Sequence, residues 1–135
     1  MDEKKYIDSA KKMLNDFVHY SEENMKTVAE DIRQVLAGYC FGALTAYSME
    51  QKVNHPQIQA VMISVLVQTF DYSVQQAVDC FAFLVKSTKR EEHPVMFAII
   101  HRGMEGYYMY KEGRRKEAAK DVNEVMDLVI GNPKA

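Results

Sequence analysis

Two side chains in the stretch HPVMFAIIHRGMEGYYMYKEG, residues 93 to 113, have the types and spacing for metal or acid–base chemistry. His101 and Glu105 lie four residues apart, so on a helix they would be neighbours. A catalytic zinc site needs three protein ligands and a structural site four, and the sequence offers no cysteine pair or histidine cluster at zinc spacing. The pattern favours an ordinary surface pair, and we predict no metal and no cofactor.

The sequence also lacks the residue patterns of nucleophilic catalysis and of nucleotide binding. Cys40 and Cys80 both lie inside apolar helical patterns, which is typical of reduced, buried thiols. The serines mostly lie near predicted helix ends, where caps are expected. The six glycines are scattered singly, without the arrangement of a phosphate-binding loop. We therefore predict that the protein is not an enzyme.

Helical geometry gives the segment from residue 93 to 113 two faces, because successive side chains are about 100° apart. A mainly apolar face is predicted for Met96, Ile99, Ile100, Gly103, Tyr107 and Tyr110, and a polar face for His101, Glu105, Tyr108 and Glu112, with Arg102 on the flank. Phe97, Met104 and Tyr108 form a second apolar edge. An aromatic edge beside His, Arg and Glu has the composition of a protein-binding hot spot. A central helix with buried tyrosine rings would have the same composition, and the sequence leaves both interpretations open.

A local cluster of basic residues follows this segment. Its members are Lys111, Arg114, Arg115, Lys116 and Lys120, and four acids are interspersed among them, Glu112, Glu117, Asp121 and Glu124. Such mixed charge favours a solvated, self-compensating surface over a phosphate-binding site.

Six helices account for the apolar periodicity of the chain. The first extends over a stripe from Tyr6 to Val18, and the second continues from a Ser21 N-cap to about Met49. Pro56 and Pro94 suit first helical turns, Ser73 and Gln76 have the spacing of a capping box, and the last helix follows Gly113. No stretch shows a convincing β alternation. We predict an all-α fold, a single compact domain over residues 1–135 with short turns.

The second predicted helix carries small residues at four-residue spacing. Gly38, Gly42 and Ala46 fall on one stripe of a segment, LAGYCFGALTAY, that is apolar nearly all round. A glycine costs a helix about 1 kcal/mol relative to alanine, so close approach of another helix is the expected compensation. The pattern favours a helix of the same chain, with a second subunit as the alternative.

Charge and hydropathy narrow the classes of partner. The formal charge of -2 lacks the basic excess typical of nucleic-acid binding. The longest apolar runs are short for a bilayer span and contain polar residues, and the N-terminal residues lack a secretory pattern. We therefore predict a cytoplasmic protein that binds neither membrane nor nucleic acid directly.

Three segments together resemble a known family. HPVMFAIIHRGMEGYYMY, SVQQAVDCFAFLVKST and LAGYCFGALTAY are similar to segments of small all-helical immunity proteins from bacterial polymorphic toxin systems, and the resemblance covers residues 25 to 128. It implies a cytoplasmic antitoxin that binds one cognate toxin domain and blocks it. The residues carried over as partner-binding are His101, Arg102, Glu105 and Tyr108. Glu112 joins them from the polar face, whereas Gly103, Gly106, Tyr107 and Tyr110 match at packing positions.

Several alternatives stay open at this stage. A nuclease is one candidate class of toxin, although a charge of -2 is less acidic than is common for inhibitors of nucleases. The turn YKEGRRKEAA and the two His-Pro pairs, 38 residues apart, suit a tetratricopeptide-like adaptor that binds a peptide or protein. The basic cluster could serve a nucleic-acid-binding regulator. A homodimer is also compatible with the small-residue stripe and the tyrosine-rich helix.

Overall fold

The computed structural model describes residues 2–131, which form six α-helices and, within that range, no strand. The all-α prediction is confirmed. The helices are α1 (Glu3–Ser21), α2 (Glu30–Gln51), α3 (His55–Gln68), α4 (Val74–Lys86), α5 (Pro94–Lys111) and α6 (Arg115–Ile130).

Helix α2 lies at the centre of the bundle and packs against each of the other five helices. Most of its residues from Val35 to Ser48 are buried, as expected for a helix that is apolar nearly all round. Its most extensive contact is with α5, while α1 packs on α6 and α3 pairs with α4. In a solenoid each repeat contacts only its neighbours, so the contacts between α2 and α5 and between α1 and α6 are not those of a tetratricopeptide-like stack.

Several helix ends follow from local sequence. Ser73 accepts a hydrogen bond from the Gln76 amide at 3.1 Å, and the Gln76 side chain accepts one from the Ser73 amide at 2.9 Å, which confirms the predicted capping box. Pro56 and Pro94 each lie in the first turn of a helix, as predicted.

The predicted start of α2 was wrong by eight residues, since its N-cap is Ala29 rather than Ser21. Ser21 ends α1, and its hydroxyl donates to the Val18 carbonyl rather than capping a new helix. Glu22 follows in the left-handed conformation, with a φ of 60°. Residues 22 to 29 form a turn, and α2 begins at Glu30 without a side-chain cap. Met25 is nevertheless buried, which explains why the apolar periodicity seemed to continue through the turn.

The two thiols differ in burial. Cys40 lies in the core, whereas Cys80 is only half-buried, so the prediction of a buried thiol is confirmed at the first position and only partly at the second. Burial raises the pKa of both thiols, to about 11 for Cys80. Over residues 2–131, no helix combines the length and apolar composition that crossing a bilayer requires.

Candidate partner-binding face

Helix α5 is held against α2 by backbone contacts at two glycines. A Cβ added to Gly42 would overlap the Ile100 carbonyl oxygen and lie 3.0 Å from the Met104 amide nitrogen. A Cβ on Gly103 would likewise overlap the carbonyl group of Tyr39. The small-residue stripe therefore serves an intramolecular crossing, the alternative that the sequence favoured, and it fixes α5 as a rigid element.

The core side of α5 carries two tyrosines whose hydroxyls reach carboxylates on other helices. Tyr107 donates to Glu50 at 2.5 Å, and Tyr110 donates to Asp16 at 2.7 Å. Burial, followed by the hydrogen bond to the carboxylate, raises the pKa of both phenols. These two tyrosines therefore fix the rotation of α5 about its axis as well as its position.

The opposite side of α5 is exposed at four of the five predicted contact residues, namely His101, Glu105, Tyr108 and Glu112. We call these four residues the polar face. The Tyr108 side chain is 43% exposed, and its ring packs edge-on against Tyr107 at 5.0 Å between centroids. The His101 ring lies 4.3 Å from that of Phe97. Aromatic contacts thus restrain two members of the polar face while leaving them accessible to a partner.

Arg102 occupies a different environment from the polar face. Its side chain is 32% exposed, and the guanidinium pairs with the carboxylate of Asp121 and, at 3.4 Å, with that of Glu124. The other Asp121 oxygen accepts a hydrogen bond from the Tyr39 hydroxyl at 2.6 Å. The hydrogen bond to Asp121 raises the pKa of Arg102. Arg102 therefore joins α5 to α6, and only its edge borders the polar face.

Asp121 was missed by the sequence analysis, which placed it among the solvated acids of the basic cluster. It is only 8% exposed, because it lies between Ala118, Val122 and Val125 on the buried stripe of α6. That position was the available indication, since a carboxylate inside an apolar stripe needs a hydrogen-bond or charge partner. The partners themselves, Tyr39 and Arg102, lie on other helices and could not be identified from spacing.

In the part of the chain that the structure describes, three of the five members of the basic cluster pair with acids, and only Arg114 does so with the interspersed acids that the sequence offered. Lys111 pairs with Glu50 at 2.8 Å. Arg114 pairs with Glu112 at 2.8 Å and with Glu117 at 3.1 Å, and the Arg115 guanidinium lies 4.5 Å from the Tyr110 ring centre. Among residues 2–131 there is no group of three or more His, Cys, Asp or Glu side chains arranged to hold a metal ion.

A family model described as Immunity protein 48 matches residues 6–130, a span that reaches from α1 to the end of α6 and includes the whole polar face. Neither the curated proteins nor the solved structures gave a significant match.

Proposed function

Because the chain belongs to the Immunity protein 48 family, we propose that it binds a cognate bacterial toxin domain and neutralises it by direct contact. The family supports an immunity role. The proposal adds the mechanism: stoichiometric binding in the cytoplasm of the producing cell, over the toxin's active site or over a surface that the toxin needs.

The observation that carries this mechanism is an exposed polar and aromatic face on a helix that the core holds rigid. His101, Glu105, Tyr108 and Glu112 supply an imidazole, a phenol ring and two carboxylates. Tyrosine is among the residue types enriched at binding hot spots, and the two carboxylates, of which that of Glu112 is already paired with Arg114, add polar contacts at the rim. The contacts of α5 with α2 are made in the free protein, so binding would require little ordering of the helix. Pre-organisation of this kind reduces the entropic cost of association.

Arg102 takes an auxiliary place in this proposal. Its charge is already matched by Asp121 and Glu124, so we assign it mainly to holding α5 against α6 beside the polar face. A nuclease is one candidate class of toxin.

The direct test is co-expression with the toxin that we expect to be encoded beside this chain's gene. Wild-type protein should restore growth, and titration of the purified pair should end at equal amounts of the two proteins. Absence of both rescue and copurification would contradict the proposal, and rescue at strongly substoichiometric amounts would point to turnover instead.

A paired substitution locates the contact surface. Glu105→Ala with Tyr108→Ala should weaken toxin binding by about tenfold or more, as expected for hot-spot truncation, and leave the melting temperature nearly unchanged because both side chains are exposed. Val78→Ala with Asp79→Ala is the matched control, since Val78 is 42% exposed and Asp79 is exposed on α4. Unfolding of the Glu105/Tyr108 variant would instead assign these side chains to the core.

A further inference from the structure

An apolar groove lies between the first half of α5 and the second half of α6. Its volume is about 350 Å³, and its walls include Val95, Ala98 and Arg102 from α5 and Leu128 and Val129 from α6. The two helices pack against each other, and the groove is the part of their junction that the packing leaves open to solvent.

The apolar side chains of the groove are unusually exposed. Leu128 is 71% exposed, Val95 59% and Val129 37%. Single exposed apolar residues are common on protein surfaces, but three that line one groove form a continuous patch, which is typical of an interaction site.

The groove borders the polar face of α5. Ala98 lies three residues before His101, and His101 lies four residues before Glu105, so these side chains form one ridge of the helix. Ala98 lines the groove, whereas His101 and Glu105 belong to the polar face, so the two surfaces meet along this ridge. A partner that covers the polar face at residues 101 and 105 would therefore reach the groove without a gap.

The charged α6 side chains nearest to Leu128 are acidic. Arg102 is the cation in the wall of the groove, and Asp121 and Glu124 already pair with it. Glu124 precedes Leu128 by one helical turn and is 53% exposed, and the exposed Asp127 follows Glu124 by three residues, which places it beside Glu124 on the surface of α6. A complementary partner would bring an apolar side chain together with positive charge.

We propose that this groove receives an apolar side chain of the cognate toxin domain, presented beside a lysine or arginine that lies near Glu124 and Asp127. The inference rests on the proposed function and adds a second anchor to it. The polar face supplies hydrogen-bonding and aromatic contacts. The groove, at the border of that face, supplies an apolar contact from which water is excluded.

The test compares two double substitutions that remove similar exposed apolar surface. Leu128→Gln with Val95→Gln should weaken binding to the purified toxin domain by about tenfold or more, because glutamine cannot replace the apolar contact yet suits a helix. Val74→Gln with Val78→Gln is the control, since these α4 side chains are 66% and 42% exposed. It should leave the Kd unchanged.

A second comparison tests the charge. Glu124→Gln with Asp127→Asn should slow association and reduce its salt dependence, because rim charges act mainly through the encounter rate. If this variant associates as fast and with the same salt dependence as the wild type, no toxin lysine or arginine lies near Glu124 and Asp127.

The outcomes separate this inference from the proposed function. If the Leu128/Val95 variant binds the toxin as tightly as the wild type does, the groove proposal is wrong and the proposed function still stands. If the wild type itself fails to bind the toxin, both proposals are wrong. Light scattering gives the remaining outcome. If the wild type is a dimer, the variant a monomer and toxin affinity unchanged, the occupant is a second copy of this chain and the inference is wrong.

Discussion

At the scale of single residues, Asp121 joins three helices through two oxygens. One oxygen accepts the Tyr39 hydroxyl of α2, and the other pairs with Arg102 of α5. A carboxylate with so little exposure would be costly alone, and these two partners compensate for its lost hydration. The same contacts hold the flank of α5 on which the polar face depends.

We expect Asp121→Asn to lower the free energy of unfolding by about 1–3 kcal/mol, since the Arg102 guanidinium would lose the nearer and more buried of its two charged partners. Glu124→Gln is the control. Its carboxylate is 53% exposed and lies 3.4 Å from Arg102, and such exposed pairs contribute about 0–1 kcal/mol. Urea denaturation followed by circular dichroism measures both. A loss for Glu124→Gln equal to that for Asp121→Asn would contradict the assigned role of Asp121.

At the scale of helices, the crossing of α2 and α5 depends on the absence of two Cβ atoms. Gly42 meets the backbone at Ile100, and Gly103 meets the backbone at Tyr39. Backbone atoms cannot move aside without shifting a whole helix, so these contacts tolerate little added volume. Gly38 differs, because the atoms nearest to its added Cβ belong to the side chains of Met96 and Ile99.

Alanine substitutions should therefore separate the two kinds of glycine. Gly42→Ala gains about 1 kcal/mol of helix propensity, but we expect net destabilisation because overpacking forces the helices apart, typically at about 1–3 kcal/mol or more. Gly38→Ala should cost clearly less, since the flexible Met96 side chain can adopt another rotamer. Melting temperatures of the two variants check the order, and a Gly42→Ala protein as stable as Gly38→Ala would be inconsistent with the close backbone contact.

At the scale of the whole molecule, tyrosine hydroxyls connect distant parts of the chain to carboxylates. The donors Tyr39, Tyr72, Tyr107 and Tyr110 reach Asp121, Glu30, Glu50 and Asp16, respectively, across 42 to 94 residues of sequence. Burial raises the pKa of each phenol above 10.0, and the adjacent carboxylate raises it further. Each bond is made by the protonated phenol, so the tertiary structure depends on these protons.

Stability should consequently fall at alkaline pH. Above the ordinary pKa of 10.0 the unfolded chain loses phenolic protons that the folded chain retains, so each such tyrosine removes at most about 1.4 kcal/mol per pH unit until its native pKa is reached. Below the ordinary pKa of 10.0 each tyrosine's contribution to stability is fully present. Urea midpoints measured from neutral pH to about pH 11 should show the decline.

Tyr72→Phe tests the origin of that decline, because it removes one linked proton and should make the slope shallower. The absorbance of ionised tyrosine offers an independent measurement, since the buried phenols should ionise together with unfolding. Titration of all the tyrosines at their ordinary pKa, with native circular dichroism retained, would show that the hydroxyl contacts contribute little.

Much of the candidate site followed from periodicity alone. A 3.6-residue repeat fixes which side chains share a side of α5. One side was predicted to be polar (His101, Glu105, Tyr108 and Glu112) and the other to face the core (Ile99, Gly103 and Tyr107). The first set is exposed and the second is buried. Arg102 could be placed on the flank, but its bond to Asp121 could not be foreseen because the two residues belong to different helices. The groove beside it was unpredicted for the same reason, since Val95 and Leu128 meet only after α5 and α6 have packed.

By itself the sequence determined the helical class, the capping box at Ser73, the two-sided pattern of α5 and the family resemblance, because each depends on residues that are near one another in the chain or on the order of residue types. Tertiary structure alone decided which helix fills the space at Gly42 and Gly103, which carboxylate each tyrosine reaches, and where apolar surface stays exposed. Those features depend on contacts between residues far apart in sequence, and such contacts are fixed only by the packing of the whole bundle.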